Sequence, residues 1–120
     1  MSAQKISKKA VKCGFEWPNE GSLYECINSE FEEFKEAVAE GDKTHAEDEM
    51  GDILFAVVNL ARWHKIDAEQ ALLNANKKFM TRFRKMEQLA QKPLNEYTFT
   101  EYDALWRQAK STIERDNTIY

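Results

Sequence analysis

Two carboxylate pairs, each with a spacing of three, constrain this chain more than any other feature. They are Glu30-x-x-Glu33 and Glu49-x-x-Asp52. Side chains three apart share one face of an α-helix, about one turn apart. A Gly41-Asp42 break lies between the pairs, so the pattern asks for two neighbouring helices that each present two acids. Four carboxylates converging from such helices would form an oxygen-rich pocket. Hard divalent cations such as Mg²⁺ or Mn²⁺ suit that donor set, and they bring phosphates with them.

The rest of the chain supports helices. It has 4 Gly and 2 Pro in 120 residues and few alternating β-branched runs. Five helices are expected. The first spans Ala3 to Cys13 and ends at Gly14. The second starts at a Ser22 N-cap and closes at Glu40. The third runs from Thr44 to His64. The fourth opens on an Asp67/Gln70 capping box and reaches Ala90. The fifth opens on Thr100 with Asp103 and reaches Glu114, with Asp116 to Tyr120 fraying. The expected fold is all-α: a helical bundle of four to five helices in a single domain, 1–120. A chain this thin does not close a four-helix core alone, so homodimerisation is expected to complete it. Phe55, Trp63 and Phe83 are candidates for that contact, although ordinary core is the simpler account of each.

Composition removes several function classes. The longest apolar run, Ile53 to Val58, is too short to span a bilayer, and Met1 to Lys12 is lysine-rich with no apolar run behind it. No membrane association is expected. Cys13 and Cys26 form no CxxC, which fits a reduced, cytoplasmic setting. A net charge of −4 argues against nucleic acid as a partner.

Helical phase sorts the acids. In the second helix Leu23, Ile27, Phe31, Phe34 and Val38 form the expected core stripe. Glu30 and Glu33 lie beside it with Cys26 and Ala37, whereas Glu32 and Glu36 fall on the far side with Lys35. The third helix is apolar nearly all round from Ile53 to Ala61, which predicts a buried central helix. His45, Glu49, Asp52, Ala56, Asn59 and Trp63 share one stripe on it. A buried Asn59 must be hydrogen-bonded, either as an ordinary core polar group or as a substrate contact. Glu49 and Asp52 also admit a plainer reading, as acids stabilised by a helix N-terminus. In the fourth helix Ala68, Leu72, Ala75, Phe79, Phe83, Met86 and Ala90 read as core. Lys78, Arg82 and Lys85 line one side, and Asn76, Lys77 and Arg84 another. These cations suit phosphate oxygens or form a solvated face.

Other chemistries find no support. His45 and His64 do not form the Glu-x-x-His pairs of di-iron bundles. No glycine-rich phosphate loop exists. The serines lack a triad arrangement, and the cysteines lack an activating base.

The segments quoted so far also form a family pattern. Cys13-Gly14-Phe15-Glu16-Trp17-Pro18 precedes the second helix. Glu47-Asp48-Glu49-Met50-Gly51-Asp52-Ile53-Leu54-Phe55-Ala56 is followed by Val58-Asn59-Leu60-Ala61-Arg62. Later come Asn74-Ala75-Asn76-Lys77-Lys78-Phe79 and Arg82-Phe83-Arg84. The chain resembles the MazG-like nucleoside triphosphate pyrophosphohydrolases, an all-α family. The resemblance implies cleavage of a nucleoside triphosphate between the α and β phosphates, releasing the monophosphate and pyrophosphate. It implies Mg²⁺, with Mn²⁺ as a substitute, held by an E-E-x-x-E…E-x-x-D set. Carried over by position, the catalytic metal ligands are Glu30, Glu33, Glu49 and Asp52. Lys78 and Arg82 fall where the family contacts phosphate, and Trp106 falls where a related enzyme packs an aromatic by the base. A homodimer or tetramer is implied, with pocket walls expected from Trp17, Trp63, Trp106 and a partner subunit.

One position departs from the pattern. Counted from Trp17, the first Glu of E-E-x-x-E falls on Ser29. A second register, Glu32-Glu33-x-x-Glu36, matches the letters, but its helical phase points away from the core edge. The rival reading is therefore a nucleotide-binding or helical interaction module of the same fold with weakened turnover.

Overall fold

A computed structural model describes residues 2–119, with side chains through Arg115. Five α-helices follow in order: α1 Ala3–Lys12, α2 Glu20–Ala39, α3 Lys43–Trp63, α4 Ala68–Leu89 and α5 Phe99–Ile119. A 3-10 turn at Leu94–Glu96 precedes α5. The described residues contain no strand, so the all-α expectation holds. The last helix runs on past the expected end at Glu114, so Asp116 to Ile119 are helical rather than frayed, and Tyr120 lies outside the described residues.

The helix ends are set by side-chain caps, two of them displaced from expectation. Asn19, not Ser22, caps α2: its Oδ1 accepts the Ser22 amide at 2.8 Å. Asn19 is extended, at φ −162°, which lets its short side chain fold back over the first turn. Asp42 caps α3 by accepting the His45 amide at 3.0 Å. Asp67 accepts the Gln70 amide at 3.1 Å at the start of α4. For α5 the box is Thr98 with Glu101 rather than Thr100 with Asp103. The Glu101 amide donates to Thr98 Oγ1 at 3.2 Å, and the Thr98 amide donates to Glu101 Oε1 at 2.9 Å. The longer glutamate reaches back where an aspartate would fall short. Gly14 and Gly41 adopt φ of 88° and 74°, the left-handed turn that ends α1 and α2.

The chain forms two compact units, one through Ala71 and one from Leu72 on. In the first, α3 packs extensively on α2 and also on α1. Its buried line is Leu23, Ile27 and Ala37 of α2 against Glu49, Ile53, Ala56 and Asn59 of α3. Gln4 and Ser7 of α1 are buried as well. Gln4 ties the α3–α4 turn to α1: its Nε2 donates to Ile66 O at 2.5 Å and its Oε1 accepts the Ala68 amide at 2.9 Å.

Two core expectations need correction here. Phe31 and Val38 are exposed at 43% and 56%, because α3 covers the Ile27–Ala37 line and leaves the outer edge of the α2 stripe uncovered. Nor is α3 buried all round. Leu54, Phe55 and Val57 are exposed, on faces that α1 and α2 do not cover.

The second unit has its core at Met86, Leu105 and Ala109, packed by Phe83, Leu89, Ala90, Leu94, Tyr97, Tyr102 and Trp106. Tyr102 Oη donates to Leu94 O, and the Gln91 amide donates to Tyr97 Oη at 3.1 Å. These bonds fasten the 3-10 turn. The α4 line expected as core is buried only near its C-terminal end. Leu72 and Phe79 are exposed, and Met86 alone of α4 is fully buried.

Candidate metal centre

The hairpin of α2 and α3 places Glu30, Glu49 and Asp52 together. One carboxylate oxygen from each lies within 4.8 Å of the others. Glu30 is half-buried, Glu49 buried and Asp52 exposed. Two of the oxygens, Glu30 Oε2 and Glu49 Oε2, are buried without any hydrogen-bond partner. Buried acceptors are ordinarily satisfied, and a charged one left unpaired is costly. Three hard oxygens at this spread can close on one Mg²⁺-sized ion, which binds oxygen at about 2.0–2.1 Å. The residues present therefore suit a hard divalent cation.

Electrostatics report the same crowding. Sharing a proton toward Glu49 pushes Glu30 up to about 7, helped by burial and by the charges of Glu33, Asp52 and Glu49. Glu33 is also raised, chiefly through Glu49. Glu49 is correspondingly lowered, held ionised by Glu30 first, then by Glu33 and His45. His45 Nε2 lies 3.2 Å from Glu49 Oε1. Like-charged groups at this range resist simultaneous ionisation, and a cation relieves that resistance. Glu33 is exposed and outside the three-oxygen group, but it titrates with Glu49.

The phase argument for the other acids agrees with what the structure shows. Glu32 pairs with Lys35 at 3.1 Å on the solvated side, and Glu36 is exposed. Ser29 is exposed too. Asp42 serves as the α3 cap.

Glu30 and Asp52 also line a cavity of about 340 Å³. Its other walls include Phe15, Trp17, Cys26, Phe55 and Asn59. Burial, then the charges of Glu30, Glu33 and Asp52, push the Cys26 thiol up, so it remains a neutral wall rather than a nucleophile. Asn59 is 9% exposed and accepts a hydrogen bond from Ser7 Oγ. Arg62 Nε donates to Ser7 Oγ at 2.7 Å, and its two terminal nitrogens donate to Glu16 at 2.7 Å each. Those bonds hold the Glu16 carboxyl below its ordinary range. Sequence reasoning singled out Asn59 and Trp17 but missed Ser7, Glu16 and Arg62. The available signal was the three-residue step from Asn59 to Arg62, which places both on one helix face.

Of the expected aromatics, Trp17 lines this cavity, while Trp63 is half-buried and is not among its walls. Lys78, Arg82 and Trp106 belong to the second unit. There Lys78, Arg82 and Lys110 line a separate cavity of about 280 Å³, and the Arg82 guanidinium lies 5.8 Å from the Trp106 ring centroid.

Fold and site together define a class: an all-α protein whose helical hairpin presents an acidic cluster able to hold a cation beside an aromatic cavity. Residues 19–86 match the model of the MazG nucleotide pyrophosphohydrolase domain, and the chain belongs to that family. It is 40% identical over 115 residues to the nucleoside triphosphate pyrophosphohydrolase/pyrophosphatase MazG of Thermotoga maritima, covering 93% of this chain and 44% of that protein. It is 40% identical over 117 residues to the nucleoside triphosphate pyrophosphohydrolase of Escherichia coli K12, covering 92% and 44% respectively. A 70-residue stretch is 44% identical to the uncharacterized protein YabN of Bacillus subtilis. The chain thus spans less than half the length of the first two relatives. No helix among the described residues is long and apolar enough to cross a membrane.

Proposed function

We propose that this chain hydrolyses nucleoside triphosphates, ribo or deoxy, between the α and β phosphates. Water adds to one phosphorus as the bridging P–O bond breaks, giving the monophosphate and pyrophosphate. The observation that carries the reading is the convergence of Glu30, Glu49 and Asp52, with two orphaned buried oxygens, on the edge of an aromatic cavity. Glu30, Glu49 and Asp52 would hold Mg²⁺, or Mn²⁺ in its place, with Glu33 supporting Glu49. Bound there, the ion supplies charge neutralisation for phosphate oxygens and acidifies a water. Phe15, Trp17 and Phe55 would seat the nucleoside. Lys78 and Arg82 offer the cationic groups that phosphate oxygens require, and Trp106 offers an aromatic face for a base.

A homodimer or tetramer fits the apolar side chains that α2 and α3 leave exposed, among them Phe31, Val38, Leu54 and Val57. Neither cysteine is in a disulfide, which fits a reducing, cytoplasmic setting. The test is product analysis after incubation with Mg²⁺ and each common NTP and dNTP. The expected products are monophosphate and pyrophosphate in equal amounts. Release of orthophosphate alone, or no product from any nucleotide, would sink the proposal and leave a binding module.

A further inference from the structure

One wall of the cavity is a chain of hydrogen bonds from Glu16 through Arg62 and Ser7 to Asn59, and all four residues line it. The direction of the Arg62 bonds is fixed by chemistry. A guanidinium has donors only. Arg62 gives two to the Glu16 carboxylate and its Nε–H to Ser7 Oγ at 2.7 Å. Ser7 has one proton to give, and it gives it to the Asn59 side chain. The Asn59 atom that meets Ser7 is the carbonyl Oδ1.

With Oδ1 against Ser7, Asn59 Nδ2 is turned from Ser7, and no side chain or backbone group among the described residues accepts from it. Asn59 lines the cavity, so this donor is available to an acceptor on whatever fills it. The rest of the lining names that occupant. Phe15, Trp17 and Phe55 suit a planar ring, and the acids Glu30 and Asp52 mark the phosphate side. Asp52 and Asn59 stand seven residues apart on α3, about 10 Å along the axis. That separates a phosphate-binding end from a base-reading end.

We propose that the Asn59 amide donates to a carbonyl oxygen of the nucleobase, so that the site favours keto over amino substituents at that position. Ser7, Arg62 and Glu16 act as positioning residues that favour this amide orientation. The inference rests on the triphosphate reading above. An amino base would bring donor against donor. A site built to hydrogen-bond one group rejects the analogue lacking it far more strongly than an apolar pocket rejects a small change in size.

The test compares substrates that differ in one substituent, dITP with dATP and dUTP with dCTP. The wild-type chain should show kcat/KM at least about tenfold higher for the keto member of one pair. Ser7→Ala frees the amide to turn, so that ratio should fall to within about threefold of unity while pyrophosphate is still released. Asn59→Asp retains the acceptor that faces Ser7 but replaces the donor with a second acceptor, so the ratio should invert. Ratios near unity for both pairs in the wild type would overturn the proposal, whatever the variants do. A wild-type preference that Ser7→Ala leaves intact would overturn it as well. Absence of pyrophosphate from all four nucleotides would instead strike the triphosphate reading, and this inference with it.

Discussion

Replacing Glu49 with Gln should make the metal-free protein more stable while removing its response to divalent cations. Gln keeps the shape of the side chain and an acceptor for His45, which lies 3.2 Å from Glu49 Oε1. It deletes one of three negative charges whose oxygens lie within 4.8 Å of one another. At that distance the repulsion per ionised pair is about 3.5 kcal/mol at an effective dielectric of about 20, and about 0.9 kcal/mol in bulk water. Asp52 is solvent-exposed and Glu30 half-buried, so the relief falls between these limits, at roughly 1–3 kcal/mol. For a chain of this size that raises Tm by roughly 3–10 °C. The assay is thermal unfolding at pH 8, where Glu30 is ionised, in chelator and again in excess Mg²⁺. The wild type should gain about 2.7 kcal/mol when Mg²⁺ stands at 100 times its Kd. The variant should gain almost nothing, and its pyrophosphate release should fall at least about a hundredfold. A variant less stable than wild type in chelator, yet equally stabilised by Mg²⁺, would refute the argument that these acids are held in repulsion for a cation.

The remaining predictions follow from the same structure. Glu30 is raised to about 7, so the metal-free folded chain retains a proton that the unfolded chain releases above about 4.5. Stability should fall by roughly 1–3 kcal/mol between pH 4.5 and 7 in chelator, as read by denaturant titration, and Mg²⁺ affinity should rise over the same interval. Leu23 has no exposed surface, and Leu23→Ala should cost about 3 kcal/mol in urea unfolding; a loss below 1 kcal/mol would contradict the α2–α3 core. Lys78→Ala with Arg82→Ala should weaken turnover at least tenfold while helical circular dichroism stays intact. Unchanged kcat/KM would remove these residues from the phosphate role.

Much of this architecture was legible in the sequence because helical spacing is local. Gly14, Gly41 and the Asp67 cap act within one turn, and each stands where the pattern put it; of the i,i+3 acids, Glu30, Glu49 and Asp52 lie together while Glu33 stays exposed outside them. Phase alone separated Glu30 from Glu32 and Glu36, and the structure keeps them apart. Errors arose where two signals competed within a few residues. Asn19 outranked Ser22 as a cap, and Thr98 with Glu101 outranked Thr100 with Asp103. Burial was the least legible property. Hydrophobicity marked Phe31, Val38, Leu54 and Leu72 as apolar, but which of them is covered depends on the few helices that pack against each face. Spacing places Arg62 on the Asn59 face, but its bonds to Ser7 and Glu16 were not legible: those partners lie 46 to 55 residues away, and no local rule joins them.

The most direct measurement of the central claim is anomalous scattering from a crystal grown with Mn²⁺ and a nucleoside triphosphate analogue whose α–β bridge cannot be hydrolysed. The account predicts a manganese peak bonded to oxygens of Glu30, Glu49 and Asp52 and to the analogue's phosphates, with the base in the cavity beside Trp17. A peak elsewhere on the chain, or none with the analogue bound, would contradict it.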